Sequence, residues 1–317
     1  MTSSMLLRPT APRLFLILVA LVSAWGITPA GRQVPATPPL LWEGHHGTTR
    51  LALFGTIHVP DARVLALAPQ VRAAFARADR VVTEIALDPA TQARMASALM
   101  LPADQRLRAI IGDARFARLE TQVRHAVASR APAIAPVLVG MLDRLKPWAA
   151  LAQLATLDYL PDMLEGKVAL DAQLYADAKA AGKQVGGLET VAEQAGTFDA
   201  FTADEQASLL DAALAELETP DDGIDTASLV QWYLDGDAEK LARALAHTPG
   251  DDALARKFET EVLVARNHRM ADRIDALRRQ APDESLFVAV GALHLVGRDN
   301  LPQLLAARGY DIARVRP

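Results

Sequence analysis

Residues 51–59 read LALFGTIHV and residues 285–294 read SLFVAVGALH, two apolar runs that each end in Gly-x-x-His. Their length and composition are typical of buried strands, and a glycine at a strand end lets the backbone turn sharply. With 18 Gly and 7 His in 317 residues, chance supplies roughly 0.4 such spacings, so the spacing alone is weak evidence. The shared strand-end position is stronger, and it predicts that His58 and His294 point into one cleft. In the alternative interpretation, each is an ordinary hydrogen-bonded histidine of a strand-to-helix turn.

The segments around these two runs indicate an α/β fold. A helical pattern over residues 61–77 and the short strand RVVTEI at 80–85 follow the first run, and strand–helix–strand order generally gives parallel strands. Further strands are predicted at 184–188 and 311–315. The Ala/Leu-rich residues from about 89 to 180, interrupted by proline and glycine, predict a large helical insertion. We therefore expect residues 31–317 to form a single domain whose central sheet is built from both ends of the chain.

The first thirty residues have the pattern of a secretory signal peptide. Arg8 and Arg13 precede an apolar run over residues 14–22, which small residues follow. The run is shorter than the roughly 20 apolar residues that a spanning helix needs. The sequence thus predicts a signal peptide over residues 1–30 and an exported protein, periplasmic or secreted. The alternative is an uncleaved signal peptide that anchors the chain in the membrane. We expect no other contact between this protein and a membrane.

Composition excludes several classes of function. The chain is 51% hydrophobic and 22% charged, as expected of a globular domain with a large core. A net charge of −5 without Lys/Arg blocks argues against a nucleic-acid partner. With no cysteine, thiolate metal sites and cysteine nucleophiles are excluded, so a metal would need His, Asp, Glu or backbone oxygen ligands. Such ligands suit zinc, manganese or cobalt.

Four polar residues are further site candidates, two at predicted strand ends and two on the predicted long helix over residues 252–279. Glu84 lies in an apolar strand, where a carboxylate is costly to bury without a cation, although a strand-end glutamate exposed to water is the alternative. Two His and one Glu form a known ligand set for a hydrolytic ion. Glu189 is interpreted equally well as a second carboxylate of the cleft or as an acid near a helix N-terminus. Arg266 and Asn267 either face inward as an anion-stabilising pair or belong to a solvated helix face.

Six ordered segments carry a resemblance to a known family. They are LALFGTIHV at 51–59, VVTEI at 81–85, LKPW at 145–148, GLET at 187–190 with Gln194, RNHRMADRI at 266–274 and VGALHLVG at 290–297. From about residue 40 to the C-terminus the chain resembles the TraB/PrgY/GumN/Tiki family, and bacterial GumN-like members look most similar. The family commonly has Gly where this chain has Leu293, and an acid where it has Ala265, so we expect a narrower cleft and an Arg266 without an acidic neighbour.

The resemblance implies an α/β fold related to erythromycin esterase and to ChaN-like haem-binding proteins. In Tiki-like members the matching positions belong to a metal-dependent peptidase. It therefore implies that His58, His294 and Glu84 hold a metal ion or activate water. Glu189, Arg266 and Asn267 would have supporting roles.

These observations lead to one functional expectation and two alternatives. We expect an exported metal-dependent hydrolase that cleaves a peptide or protein substrate with manganese, cobalt or zinc, and in which Arg266 or Asn267 stabilises the oxyanion. The first alternative is a binding module that captures a peptide or haem without turnover. The second, suggested by the GumN resemblance alone, is a non-catalytic accessory factor in envelope polysaccharide production.

Overall fold

The computed structural model describes residues 40–218, 226–245 and 252–316. The predicted signal peptide, residues 1–30, lies outside these ranges. None of the helices within them is both long and apolar enough to cross a membrane.

A six-stranded mixed sheet forms the centre of the protein, in the order β4-β3-β5-β2-β1-β6. The four strands β4, β3, β5 and β2 run parallel, whereas β1 is antiparallel to both β2 and β6. The α/β fold predicted from the sequence is therefore confirmed. The strands are β1 Leu41–His46, β2 Thr49–Thr56, β3 Arg80–Ile85, β4 Gln184–Glu189, β5 Ser285–Gly291 and β6 Asp311–Arg314.

The helices of the described residues surround this sheet, and most of them lie between β3 and β5. In chain order they are α1 Ala62–Leu65, α2 Pro69–Arg77, α3 Pro89–Leu99, α4 Leu107–Ile111, α5 Asp113–Val127, α6 Ala135–Leu142, α7 Pro147–Leu154, α8 Leu160–Leu164, α9 Leu170–Ala180, α10 Val191–Asp199, α11 Ala203–Glu218, α12 Thr226–Leu234, α13 Ala238–Leu245, α14 Asp252–Phe258, α15 Ala265–Gln280 and α16 Leu301–Ala306. There are also 3-10 turns at Pro132–Ile134, Leu157–Tyr159 and Ala292–Leu295, and a π-helical segment at Glu259–Val264.

The chain between β3 and β4 is helical, and local chemistry sets its breaks. Asp88 caps α3 by accepting hydrogen bonds from the backbone N–H groups of Ala90 and Thr91. Gly112, with φ of 84°, separates α4 from α5 in a conformation that favours glycine. Most apolar side chains here join those of residues 191–262 in a second core, beside a larger core around the sheet. Both cores include residues of β3, the strand that carries Glu84.

Two elements have bounds that differ from those predicted. The sequence GHHG at 44–47, between the apolar stretches 40–43 and 50–54, predicts a hairpin turn, but β1 continues to His46, and Gly44 packs closely beside β6. A Cβ on Gly44 would lie 2.3 Å from the backbone oxygen of Asp311. The predicted helix over 61–77 is two helices, since Pro69 lacks the N–H group that a continuous helix requires and instead begins α2.

Candidate functional site

The two Gly-x-x-His turns lie side by side at the carboxyl edge of the parallel strands. β2 pairs with β5 in a register that sets Thr56 opposite Gly291. His58 follows β2 by two residues, and His294 lies in the 3-10 turn after β5. β3, on the other side of β5, contributes Glu84. Segments far apart in sequence therefore place three polar side chains at one edge of the sheet.

His58, Glu84 and His294, which we call the donor cluster, face one another. Glu84 Oε1 lies 3.7 Å from His294 Nε2 and 3.9 Å from His58 Nε2. Gly291 permits this approach, because a Cβ there would lie 3.1 Å from Glu84 Oε1 and 3.4 Å from His58 Nε2. The donor cluster lines a cavity of about 30 Å³. A water molecule needs roughly 10–15 Å³ in this measure, so the cavity holds about two.

Each imidazole is oriented by a hydrogen bond from its other nitrogen. His294 Nδ1 donates to Asn267 Oδ1 at 2.6 Å, and His58 Nδ1 is hydrogen-bonded to Asp171 Oδ2. Because both partners accept through oxygen, the Nδ1 atoms carry hydrogen, and in the neutral rings Nε2 keeps its lone pair. This arrangement is typical of histidines that bind metal ions. Sequence reasoning missed Asp171, because an acid in the first turn of α9 resembles any residue that favours a helix N-terminus.

Arg266 joins the two buried carboxylates of the site. Its Nη2 lies 2.5 Å from Glu84 Oε2 and 2.6 Å from Glu189 Oε2, and its side chain is 1% exposed. Arg269 also donates to Glu189, at 3.2 Å. The expectation that Ala265 leaves Arg266 without an acidic neighbour is wrong, since acids from β3 and β4 take that place. Glu84 and Arg266 are buried, as the inward-facing interpretation of each requires. Glu189 is buried too, but it does not line the cavity and it precedes Thr190, the N-cap of α10, so neither of its two interpretations is excluded.

Arg266 and Asn267 lie behind the donor cluster, and neither lines the cavity. Besides its carboxylate partners, Arg266 donates from Nη1 to the backbone oxygen of Val262 at 3.4 Å. Asn267 Nδ2 donates to the backbone oxygen of Asp299 at 3.0 Å. With their polar atoms engaged in this way, the two side chains are better suited to hold Glu84 and His294 in position than to bind an oxyanion.

Burial and neighbouring charges give the three donors different protonation states. Burial alone raises the pKa of Glu84, but Arg266 and the two histidines outweigh it and hold that pKa well below its usual range. Burial lowers the pKa of His294 to about 3, so this ring is neutral. Burial also opposes charge on His58, yet Asp171 and Glu84 raise its pKa to about 9. Without a bound cation, His58 is therefore protonated at neutral pH.

The charges around the cavity balance only while His58 carries its proton. Asp171, Glu84 and Glu189 face the buried Arg266 and, at the edge, Arg269, which has 35% of its side chain exposed. Once His58 loses its proton, the carboxylates outnumber these cations, so a cation that displaces the proton restores the balance of charge.

Comparisons with known proteins agree on one family. The TraB/PrgY/gumN family profile matches residues 40–314. Metalloprotease TIKI1 of Danio rerio is 25% identical over 295 residues, which cover 82% of this chain and 60% of that protein. Metalloprotease TIKI2 of Danio rerio is 27% identical, covering 84% and 58%, and human metalloprotease TIKI1 is 25% identical, covering 82% and 58%. The chain thus spans about three-fifths of the length of these relatives.

No solved structure matches the chain. The relation to erythromycin esterase and ChaN-like proteins, and the particular similarity to GumN-like members, therefore stay predictions. The family profile covers most of the chain and both Gly-x-x-His turns, so the chain belongs to the TraB/PrgY/gumN family.

Proposed function

We propose that this protein is an exported metal-dependent hydrolase that cleaves peptide bonds, with His58, His294 and Glu84 as its metal ligands. The observation that carries the proposal is the donor cluster, in which two imidazole Nε2 atoms approach one carboxylate oxygen while both Nδ1 atoms are hydrogen-bonded elsewhere. The curated relatives named metalloproteases support the same reaction.

The donor cluster fits a small divalent ion. Zinc binds nitrogen at about 2.0–2.1 Å and carboxylate oxygen at about 2.0–2.2 Å, so two ligands up to about 4 Å apart share one ion. The separations of 3.7 and 3.9 Å lie within this reach. Among the described residues, no three His, Asp or Glu side chains form a preassembled metal site. Binding therefore requires the three donors to move closer to a common point. Nitrogen and oxygen donors suit zinc, manganese or cobalt.

The residues of the site have separable roles in this proposal. A divalent ion held by His58, His294 and Glu84 would act as a Lewis acid, which would polarise the scissile carbonyl and acidify water. The low pKa of Glu84 makes it a better ligand than a proton acceptor. Asp171 and Asn267 orient the imidazoles, and Arg266 with Glu189 fixes the Glu84 carboxylate.

The central experiment is hydrolysis of a peptide library by ion-free protein with and without manganese, cobalt or zinc, with products identified by mass spectrometry. The hydrolase proposal requires products that depend on one of these ions. Saturable peptide binding without products would instead support the binding module. N-terminal sequencing of the mature protein, with a start near residue 31, tests the proposed export.

Asp171→Asn is expected to weaken ion binding about 10- to 100-fold, the usual effect of losing the group that orients a histidine ligand. Asparagine keeps the shape of the side chain but lacks the negative charge, and this charge favours the tautomer in which His58 Nδ1 carries the hydrogen. Isothermal titration of the ion into each variant measures the effect. Asp177→Asn, on the exposed side of the same helix, is the matched control. Equal affinities of the Asp171 and Asp177 variants would remove Asp171 from the site.

Ion affinity is expected to rise about tenfold per pH unit from neutral pH to about 9. The raised pKa of His58 means that the ion must displace a proton below pH 9, and this competition ends once the ring is neutral. Competition with a chelator between pH 6 and pH 10 measures the slope. An affinity that stays constant from pH 7 to pH 9 would contradict the prediction.

A further inference from the structure

Apolar side chains close the cavity on the sides away from the donor cluster. Leu229 and Tyr233 come from α12, Leu241 from α13, and Leu293 from the same turn as His294. All four are buried. The Tyr233 hydroxyl donates to the backbone oxygen of Gly55 at 2.8 Å, so it is already satisfied. These walls therefore offer an apolar surface next to the proposed reacting groups.

The cavity also contains one polar atom without a partner. Thr56 is 1% exposed, lines the cavity, and its Oγ1 has no hydrogen-bond partner among the described residues. An unsatisfied buried hydroxyl is costly, so it points to a ligand that brings a polar atom to this position. A peptide carbonyl beside an apolar side chain matches both the hydroxyl and the walls.

The size of the cavity limits what enters it. Its volume of about 30 Å³ holds roughly two groups of the size of a water molecule. With the ion held among the donor atoms, the space left for the substrate is at most this volume, and the scissile carbonyl takes one of the two places. In a peptide, the β-carbon is two bonds from the carbonyl carbon, so the side chain of that residue lies in the remaining space. That space accepts hydrogen or a methyl group.

The turn that carries Leu293 is packed closely against β2. A Cβ on Gly55 would lie 3.1 Å from Cα of Ala292, directly before Leu293, and 3.2 Å from Cδ1 of Leu295, two positions after it. Leu293 itself is 6% exposed. Because moving a closely packed backbone costs free energy, a larger group in the cavity has to displace the Leu293 side chain within buried surroundings.

We propose that this cavity is the subsite for the residue that supplies the scissile carbonyl, and that Leu293 restricts it to glycine or alanine. The proposal rests on the hydrolase function proposed above and names its substrate class. Thr56 Oγ1 donates a hydrogen bond to the substrate backbone, and the apolar walls contact its small side chain.

The test compares two peptides that differ in one residue at the cleaved position, alanine or leucine. We expect the wild type to favour alanine at least tenfold in kcat/KM, because extra methylene groups in a closed apolar pocket discriminate by 10- to 200-fold. Leu293→Ala is expected to reduce this ratio at least tenfold, and Leu293→Val by a smaller factor. Leu295→Ala is the control, since Leu295 is buried in the same turn but does not line the cavity, and it should keep the wild-type ratio.

Binding to ion-free protein gives a second readout that does not need turnover. Ligand-observed NMR with N-acetyl-alaninamide and N-acetyl-leucinamide should show the first binding to the wild type and both binding to Leu293→Ala. Equal cleavage of both peptides by every variant would overturn the subsite and leave the hydrolase in place. If the protein prefers N-acetyl-alaninamide but hydrolyses no peptide, the small apolar pocket is supported and the hydrolase proposal is rejected. If the protein neither hydrolyses the peptides nor binds either amide, both the hydrolase and the subsite proposals are rejected.

Discussion

Replacing Arg266 with methionine is expected to lower the free energy of unfolding by about 3–5 kcal/mol, the cost of removing one partner from a buried ion pair. The variant leaves Glu84 and Glu189 close together without the guanidinium that both contact. Methionine keeps the apolar length of the side chain, so the loss reports charge and hydrogen bonds more than packing. Urea unfolding of ion-free protein at neutral pH measures the difference.

The matched control for this prediction is Arg269→Met. Arg269 contacts the same Glu189, but 35% of its side chain is exposed, so water compensates for its loss and we expect less than about 1 kcal/mol. Adding Glu189→Gln to Arg266→Met should recover part of the lost stability, because one buried charge then needs no partner. Similar unfolding midpoints for the two methionine variants would show that the buried carboxylates do not depend on Arg266.

The parts of the site that sequence predicts are those set by local patterns. Apolar runs that end in Gly-x-x-His indicate strand ends, so His58 and His294 are found without knowledge of the fold. The parallel pairing of β2 with β5 is seen only in the structure. Glu84 is detectable because a carboxylate is unusual in an apolar strand. In each case, the sequence pattern that predicts the functional residue lies within a few positions of it.

Other contacts leave no such signal. Asp171 meets His58 across 113 residues of sequence, and nothing in its helix distinguishes it from an exposed acid. The helix face on which Arg266 lies is ambiguous in the sequence for another reason. The π-helical segment Glu259–Val264 precedes it and shifts the helical periodicity, so a 3.6-residue pattern carried through that segment assigns the wrong face. Where the hydrogen bonding of a helix changes, the residues that face inward are thus harder to predict from sequence than the end of a strand.

His294→Ala is expected to weaken ion binding more than 100-fold and to reduce ion-dependent peptide hydrolysis to background. Removing a ligand takes away a bond to the ion, which exceeds the roughly 10- to 100-fold effect expected at an orienting residue. The low pKa of His294 means that the ring is neutral above about pH 3, so its loss leaves the charge of the site unchanged at neutral pH. The defect should therefore be the same at pH 7 and pH 9.

His58→Ala is expected to differ from His294→Ala in its pH profile. Removing His58 also removes the proton that competes with the ion, so the remaining affinity should lose its rise toward pH 9. His46→Ala is the control for both, because His46 packs on Tyr310 away from the cavity and should keep wild-type affinity. Titrations of the three variants at pH 7 and pH 9, with circular dichroism to verify folding, separate loss of a ligand from loss of structure. If the folded His294 variant bound the ion as tightly as the His46 variant, then Glu84 and His58 would have to hold it without His294, and the proposed ligand set would be wrong.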